Sequence, residues 1–175
     1  MRIEVDKLNE TARPVSAVYA PGELELEDET TRLVSEAKLE GRAAKRREQV
    51  RLQGTIDASV EVHCDRCVAP VHIPVNAEFD VTYVPEEALV TDAEATELQA
   101  DDLTFATYAG DEIDLNELAR EQLLLALPAR HLCREDCKGL CLTCGEDLNT
   151  ESCHCDAQEI DPRWAALAEL KKDGK

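Results

Sequence analysis

The chain has 175 residues, a net charge of -19 from 38 acidic and 19 basic side chains, 43% hydrophobic residues and only 3% aromatic ones. That is enough for one domain with its own core plus a small appended module, the core being built from Val, Ile, Leu and Ala. The charge argues against the grip of a phosphate backbone as the main task, because such a grip draws on Lys and Arg, the few aromatics leave few platforms for stacking bases, and the acidic surface favours basic protein partners.

At the start, Met-Arg-Ile-Glu-Val-Asp carries charge where a secretory leader needs an apolar stretch. No apolar run approaches the ~18 residues of a membrane span. The expectation is a cytoplasmic protein that does not engage a membrane. Ile3 and Val5 suggest a short first strand, and Leu33, Ala37 and Leu39, on one parity, a further strand that ends near Gly41. Next comes the one basic cluster, Arg42, Lys45, Arg46, Arg47 and Arg51. It reads first as a solvated edge that discourages strand pairing, and second as a surface for RNA.

Residues 50 to 64 alternate without a break. Val50, Leu52, Gly54, Ile56, Ala58, Val60, Val62 and Cys64 share one face, and polar residues fill the other. From Val71 to Tyr83 the same period recurs, with Val75 and Phe79 on the apolar side. Two such runs separated by a few residues make an antiparallel hairpin with Cys64-Asp65-Arg66-Cys67 at its tip. Pro74 within the second run marks an edge or a bulge.

The pattern stops over residues 85–106, where seven acidic residues occur with no basic one. A mobile acidic loop is expected there. Across 85–130 the balance is 12 acidic to 2 basic residues, a net -10. A helix follows: Asp114 is placed to cap it, Glu117 gives a box-like start, Leu115, Leu118, Ala119, Leu123, Ala126 and Leu127 recur at helical spacing, and Pro128 ends it. Beyond it, Asp161-Pro162 opens a short amphipathic helix with Trp164, Leu167 and Leu170. The fold expected is α+β: an antiparallel β meander or partly open barrel packed by one main helix, with a core domain over 1–130 and a small cysteine-rich module over 131–175.

Eight cysteines need a reason in a reducing compartment, where disulfides are disfavoured and paired spacings read as metal ligands. The spacings are Cys64-x2-Cys67, Cys133-x3-Cys137, Cys141-x2-Cys144 and Cys153-x-Cys155. Gly145, directly after Cys144, relieves crowding in a tight turn. Residues 131–160 hold six cysteines and little apolar surface, so this segment needs a staple to fold. Two structural zinc ions meet these demands, since four thiolates satisfy a tetrahedral ion that needs no open position. Cys141, Cys144, Cys153 and Cys155 form the local set. Cys64, Cys67, Cys133 and Cys137 then remain for a second ion, a pairing that spacing alone leaves as a hypothesis. His63, His72, His131 and His154 stay as substitute ligands. A redox dithiol lacks its usual βαβ setting, and an iron–sulfur cluster lacks the ferredoxin spacings. No nucleophile elbow, phosphate-cradling loop or His-Glu hydrolase motif occurs, so neither catalytic residues nor a small-molecule substrate are expected.

One family matches several of these segments together: Cys64-Asp65-Arg66-Cys67, Ile113-Asp114-Leu115, Leu125-Ala126-Leu127-Pro128, the run from Cys137 to Asn149, Cys153-His154-Cys155 and Asp161-Pro162-Arg163. Over nearly its whole length the chain resembles the YceD family, the large ribosomal RNA subunit accumulation proteins. The resemblance implies a non-enzymatic role in accumulation of the large-subunit (23S) ribosomal RNA, and so in ribosome biogenesis. With the charge, the expected partner is a basic ribosomal or assembly protein. Contact with large-subunit rRNA, direct or indirect, stays open.

Overall fold

The computed structural model describes residues 1–26, 30–88, 105–155 and 163. In chain order the strands are β1 (Arg2–Glu4), β2 (Arg13–Tyr19), β3 (Arg32–Leu33), β4 (Ala37–Arg46), β5 (Gln49–His63), β6 (Pro70–Pro85), β7 (Phe105–Tyr108) and β8 (Glu112–Asp114), followed by one helix, α1 (Leu115–Ala126).

The sheet is built on the β5–β6 hairpin, whose register runs from Val50 opposite Tyr83 to His63 opposite Pro70. The alternation read from the sequence places Val50, Leu52, Ile56 and Val60 on the inner face, each at most 1% exposed. Burying a side chain of this size contributes about 1.5–3 kcal/mol, so this single face supplies much of the drive to fold. α1 closes that face with Leu115, Leu118, Ala119 and Leu123, all buried. Its start is fixed by the Asp114 carboxylate, which accepts the Asn116 N–H at 2.8 Å. Helical structure stops at Ala126, two residues before Pro128.

The main sheet has the order β2-β4-β5-β6-β7, with β3 beside β5. It is open at both ends, so no barrel closes, and β1 pairs with β8 in a separate two-stranded sheet. The meander is antiparallel from β2 to β6, but β7 lies parallel to β6. Val5 falls in a short 3-10 turn after β1 instead of in the strand.

The strand expected from Leu33 to Gly41 is two strands. Between β3 and β4 the Ser35 hydroxyl accepts the Ser59 N–H at 2.9 Å, and the Val34 N–H donates to the Ser59 carbonyl at 3.0 Å. A side chain thus stands in for one rung of the ladder. Both backbone groups of Ser59 are spent on this side, so its partner across the hairpin, Pro74, has no ladder bond to lose. Nor does Gly41 end a strand. It lies opposite Gly54, and a Cβ at Gly54 would come 2.6 Å from the Gly41 Cα and 2.9 Å from the Phe79 ring. The two glycines mark a close approach, and β4 continues past it to Arg46.

Of the acidic stretch 85–106, Glu86–Ala88 form a 3-10 turn and Phe105 and Ala106 belong to β7. Residues 89–104 and the short helix expected after Asp161 lie outside the described residues. Among the described residues no helix is long and apolar enough to cross a membrane.

Candidate metal centres

The hairpin tip is a tight turn in which the Val68 N–H donates to the Cys64 carbonyl and the Cys64 N–H to the Ala69 carbonyl, at 2.9 and 2.8 Å. Cys64 and Cys67 are buried there. The segment leaving α1 runs back to this tip and is clasped to it. The Asp65 N–H donates to the His131 carbonyl at 2.8 Å, and the His131 N–H to the Asp65 carboxylate at 2.7 Å. Arg66 reaches the Cys137 carbonyl at 2.5 Å and accepts the Leu140 N–H at its own carbonyl at 3.1 Å. Gly139, at φ 79°, passes so near that a Cβ would lie 3.0 Å from the Arg66 carbonyl oxygen.

This clasp brings Cys133 and Cys137 to Cys64 and Cys67, and the four sulfurs lie within 4.8 Å of one another. Cys64 Sγ is 3.9 Å from Cys137 Sγ, and Cys67 Sγ is 3.6 Å from Cys133 Sγ. Asn149 supports the group: its amide nitrogen donates to Cys137 Sγ at 3.4 Å while its oxygen accepts the Lys138 N–H at 2.8 Å.

The second group is local. Cys141 and Cys144 sit in a turn where the Gly145 N–H donates to the Cys141 carbonyl at 2.9 Å and the Thr143 N–H points at Cys141 Sγ at 3.4 Å. Bonds from Cys141 N–H to the Glu146 carbonyl and from Leu148 N–H to the Gly139 carbonyl close the small loop. Cys153 Sγ approaches Cys141 Sγ at 3.3 Å, and with Cys144 and Cys155 the four sulfurs again lie within 4.8 Å. This group is more open: Cys144 and Cys155 are exposed, whereas in the first group Cys133 alone is.

The chemistry of each group is that of crowded thiols. Cys141 is pulled down to about 6 by the N–H groups of Cys144 and Thr143. At Cys64 burial pushes upward, yet the N–H groups of Cys133, Cys67 and Arg66 outweigh it and bring the thiol down to about 6. Cys133, by burial and then its neighbouring sulfurs, and Cys155, by Cys144 and then burial, are pushed up to about 12. Four sulfurs this close do not all ionise against one another. A dication at their centre removes the conflict and lets all four act as thiolates. The donor set and the N–H groups aimed at sulfur therefore fit a tetrahedral, thiophilic ion.

Neither group contains a histidine. His72 Nε2 is 2.9 Å from the Glu61 carboxylate, and His154 is exposed. His131 serves the clasp through its backbone. The motifs quoted from the sequence contain Asp65, Arg66 and Asn149 but do not give their roles in the clasp. Nothing in the spacing of Asp65 and Arg66 reports partners 66 to 71 positions away, and Asn149 meets Lys138 and Cys137, 11 and 12 positions back, only when the loop between them closes.

A family model described as large ribosomal RNA subunit accumulation protein YceD matches residues 52–171. An uncharacterized protein of Mycobacterium tuberculosis is 32% identical over 123 residues, covering 70% of this chain and 56% of its own length. The Zea mays large ribosomal RNA subunit accumulation protein YCED homolog 1, chloroplastic, is 29% identical over 139 residues, covering 66% of this chain and 47% of its own. The uncharacterized protein YlbN of Bacillus subtilis is 28% identical over 142 residues, covering 81% and 77%. The chain thus spans about half the length of the mycobacterial and plant relatives. No solved structure matches.

Proposed function

The chain belongs to the family of large ribosomal RNA subunit accumulation proteins, YceD, and from that premise we propose that it is a non-enzymatic ribosome-biogenesis factor that supports accumulation of the large-subunit (23S) ribosomal RNA. The observation that carries the reading is the match over residues 52–171, which takes in most of the hairpin, α1 and all eight cysteines. The Zea mays relative bears the same description in its name.

In this reading each four-cysteine group holds one structural zinc. Zinc supplies a fixed positive charge to which four thiolates bind, so it stabilises a fold and does not turn over a substrate. Cys64, Cys67, Cys133 and Cys137 staple the segment after α1 to the hairpin tip. Cys141, Cys144, Cys153 and Cys155 give shape to a tail with little core of its own. A tetrathiolate zinc site carries about -2 by addition, so metal leaves the surface acidic. The net charge of -19 supports a basic ribosomal or assembly protein as the first partner, before bare RNA.

Cells depleted of the protein should accumulate less 23S than small-subunit rRNA, and a tagged copy should retain a Lys- and Arg-rich ribosomal or assembly protein after nuclease treatment. Loss of every such protein on nuclease treatment overturns the protein-first order. The second reading, RNA contact, is favoured by one observation: Arg42, Arg46 and Arg47 have no ion-pair partner among the described residues, while nearby Arg51 is held by Asp80. If RNA is the direct partner, R46Q/R47Q abolishes a gel shift with large-subunit RNA at physiological salt.

A further inference from the structure

A groove of about 390 Å³ opens between β7, β8 and α1. Four carboxylates line it: Glu112 and Asp114 from β8, and Glu117 and Glu121 from successive turns of α1. The one cation in its wall, Arg2, is taken by Glu112 at 2.9 Å and Asp114 at 3.7 Å. Glu117 and Glu121 are exposed and have no ion-pair partner among the described residues. They are four positions apart on one helix face, where like charges destabilise the free helix.

Tyr83 forms part of the same wall. It is 7% exposed, yet its hydroxyl has no hydrogen-bond partner among the described residues. Burial, with Glu121 and Glu117 beside it, pushes its ionisation upward, so the hydroxyl keeps its proton. The hydroxyl oxygen is not sealed off but opens into the groove, free to bond an incoming group, and the one cation in that wall, Arg2, is already taken.

From the juxtaposition of Tyr83 with the unpaired Glu117 and Glu121, we propose that this groove receives an arginine side chain from a basic protein partner, Glu117 and Glu121 binding the guanidinium and the Tyr83 oxygen accepting one of its N–H groups. The inference rests on the basic-partner reading above and gives that partner a docking point. A compact divalent ion fits less well. Among the described residues the only groups of three or more candidate ligands with atoms within 4.8 Å of one another are the two cysteine groups, so these carboxylates are too dispersed to enclose a point charge. A planar guanidinium with five N–H donors spans such a spread, and an ammonium does so less well.

The test uses the whole 175-residue chain loaded with zinc and a fluorescent Arg-Gly repeat peptide, with matched Lys-Gly and citrulline-Gly peptides, read by anisotropy. The Arg peptide should bind most tightly and the citrulline peptide not at all. E117Q/E121Q should weaken the Arg peptide about tenfold, as expected for loss of charge-assisted bonds, and Y83F should weaken it by a smaller factor. E40Q/E78Q makes the same change in charge on the opposite, solvent-facing side of the sheet and should have little effect. Equal weakening by E117Q/E121Q and E40Q/E78Q overturns the groove, because the peptide then reads overall charge alone. The melting curve of E117Q/E121Q should match or exceed that of the unaltered protein, which separates lost binding from lost folding. The same variants in the nuclease-treated pull-down separate the two ideas. Equal retention of basic ribosomal proteins by the unaltered protein and E117Q/E121Q overturns the groove and leaves the partner reading standing. Retention of none by the unaltered protein overturns the partner reading, and the groove falls with it.

Discussion

Val68 and Gly145 hold the same place in the two Cys-x2-Cys turns. Each directly follows the second cysteine, each donates its N–H to the carbonyl of the first at 2.9 Å, and each has positive φ, 60° and 79°. Glycine adopts that conformation freely, whereas a β-branched residue there is strained by about 1–3 kcal/mol. The hairpin tip therefore carries a strain that the local turn avoids. Val68 is 57% exposed, so little burial offsets it.

The first prediction exchanges these residues. V68G should leave the melting temperature unchanged or raise it, because relief of strain outweighs the ~0.5–1 kcal/mol entropy cost of a glycine. G145V should weaken metal retention by Cys141, Cys144, Cys153 and Cys155 about tenfold, for a conformational cost of about 1–2 kcal/mol. Open space surrounds the Gly145 Cβ position, so a clash does not account for that loss. Calorimetry and zinc competition measure the two effects. A clear drop in stability for V68G contradicts the strain at the tip.

The second prediction concerns metal removal. The first group is buried except for Cys133, and the second has two exposed and two half-buried cysteines. A chromogenic chelator should therefore draw zinc in two phases, the fast one from the second group. C144S should eliminate the fast phase and leave the melting of the sheet nearly unchanged. C67S should remove the slow phase and lower the melting temperature, because it loosens the hairpin tip. A single phase with equal sensitivity to both variants contradicts the assignment.

What the sequence reveals depends on how local the cause is. The alternation from Val50 to Val62 and from Val71 to Tyr83 needs no partner to be read, because each residue's parity reports its own burial. The set from Cys141 to Cys155 is equally compact. β2 has the same kind of signal in Val15, Ala17 and Tyr19, but the alternation is short and opens on Arg13 and Pro14, and the strand takes its place only through its pairing with β4. The parallel approach of β7 to β6 depends on the path of the intervening chain, which periodicity does not encode. At Ser35 a side-chain hydroxyl replaces a ladder bond, so a strand pattern continues in the sequence while the backbone breaks. The clasp of Asp65 and Arg66 on residues 131–140 is legible only once the hairpin exists.

The third prediction tests the close approach of β4 and β5. G54A should destabilise the protein by roughly 2–3 kcal/mol or more, the range for overpacking a rigid contact, since backbone on one side and Phe79 on the other leave the new methyl no exit. G110A, at φ 64° with no atom within 4 Å of its Cβ position, should cost only about 1 kcal/mol, the left-handed penalty alone. Urea unfolding of both variants measures the difference, and similar losses for the two would remove the steric account of Gly54.

The fourth prediction is a dependence on pH. Hydrogen bonds from Arg51 hold the Asp80 carboxylate at about 2, with Gln53 assisting. Its unfolded value is about 3.9. A carboxylate depressed in the folded state stabilises that state above the unfolded value, and the contribution fades as pH falls toward the folded one. The gain is therefore complete above about pH 5 and lost between about pH 4 and 2. The Asp80 side chain is 48% exposed, so solvent screening limits the contribution to less than about 1 kcal/mol. D80N should lower stability by that small amount at neutral pH and by nothing near pH 2. The comparison is the difference between D80N and the unaltered protein at each pH, in which any acid release of metal from the cysteines is common to both and cancels. A D80N deficit that persists undiminished at low pH means that Asp80 acts through packing or geometry, and not through the charge that Arg51 holds in place.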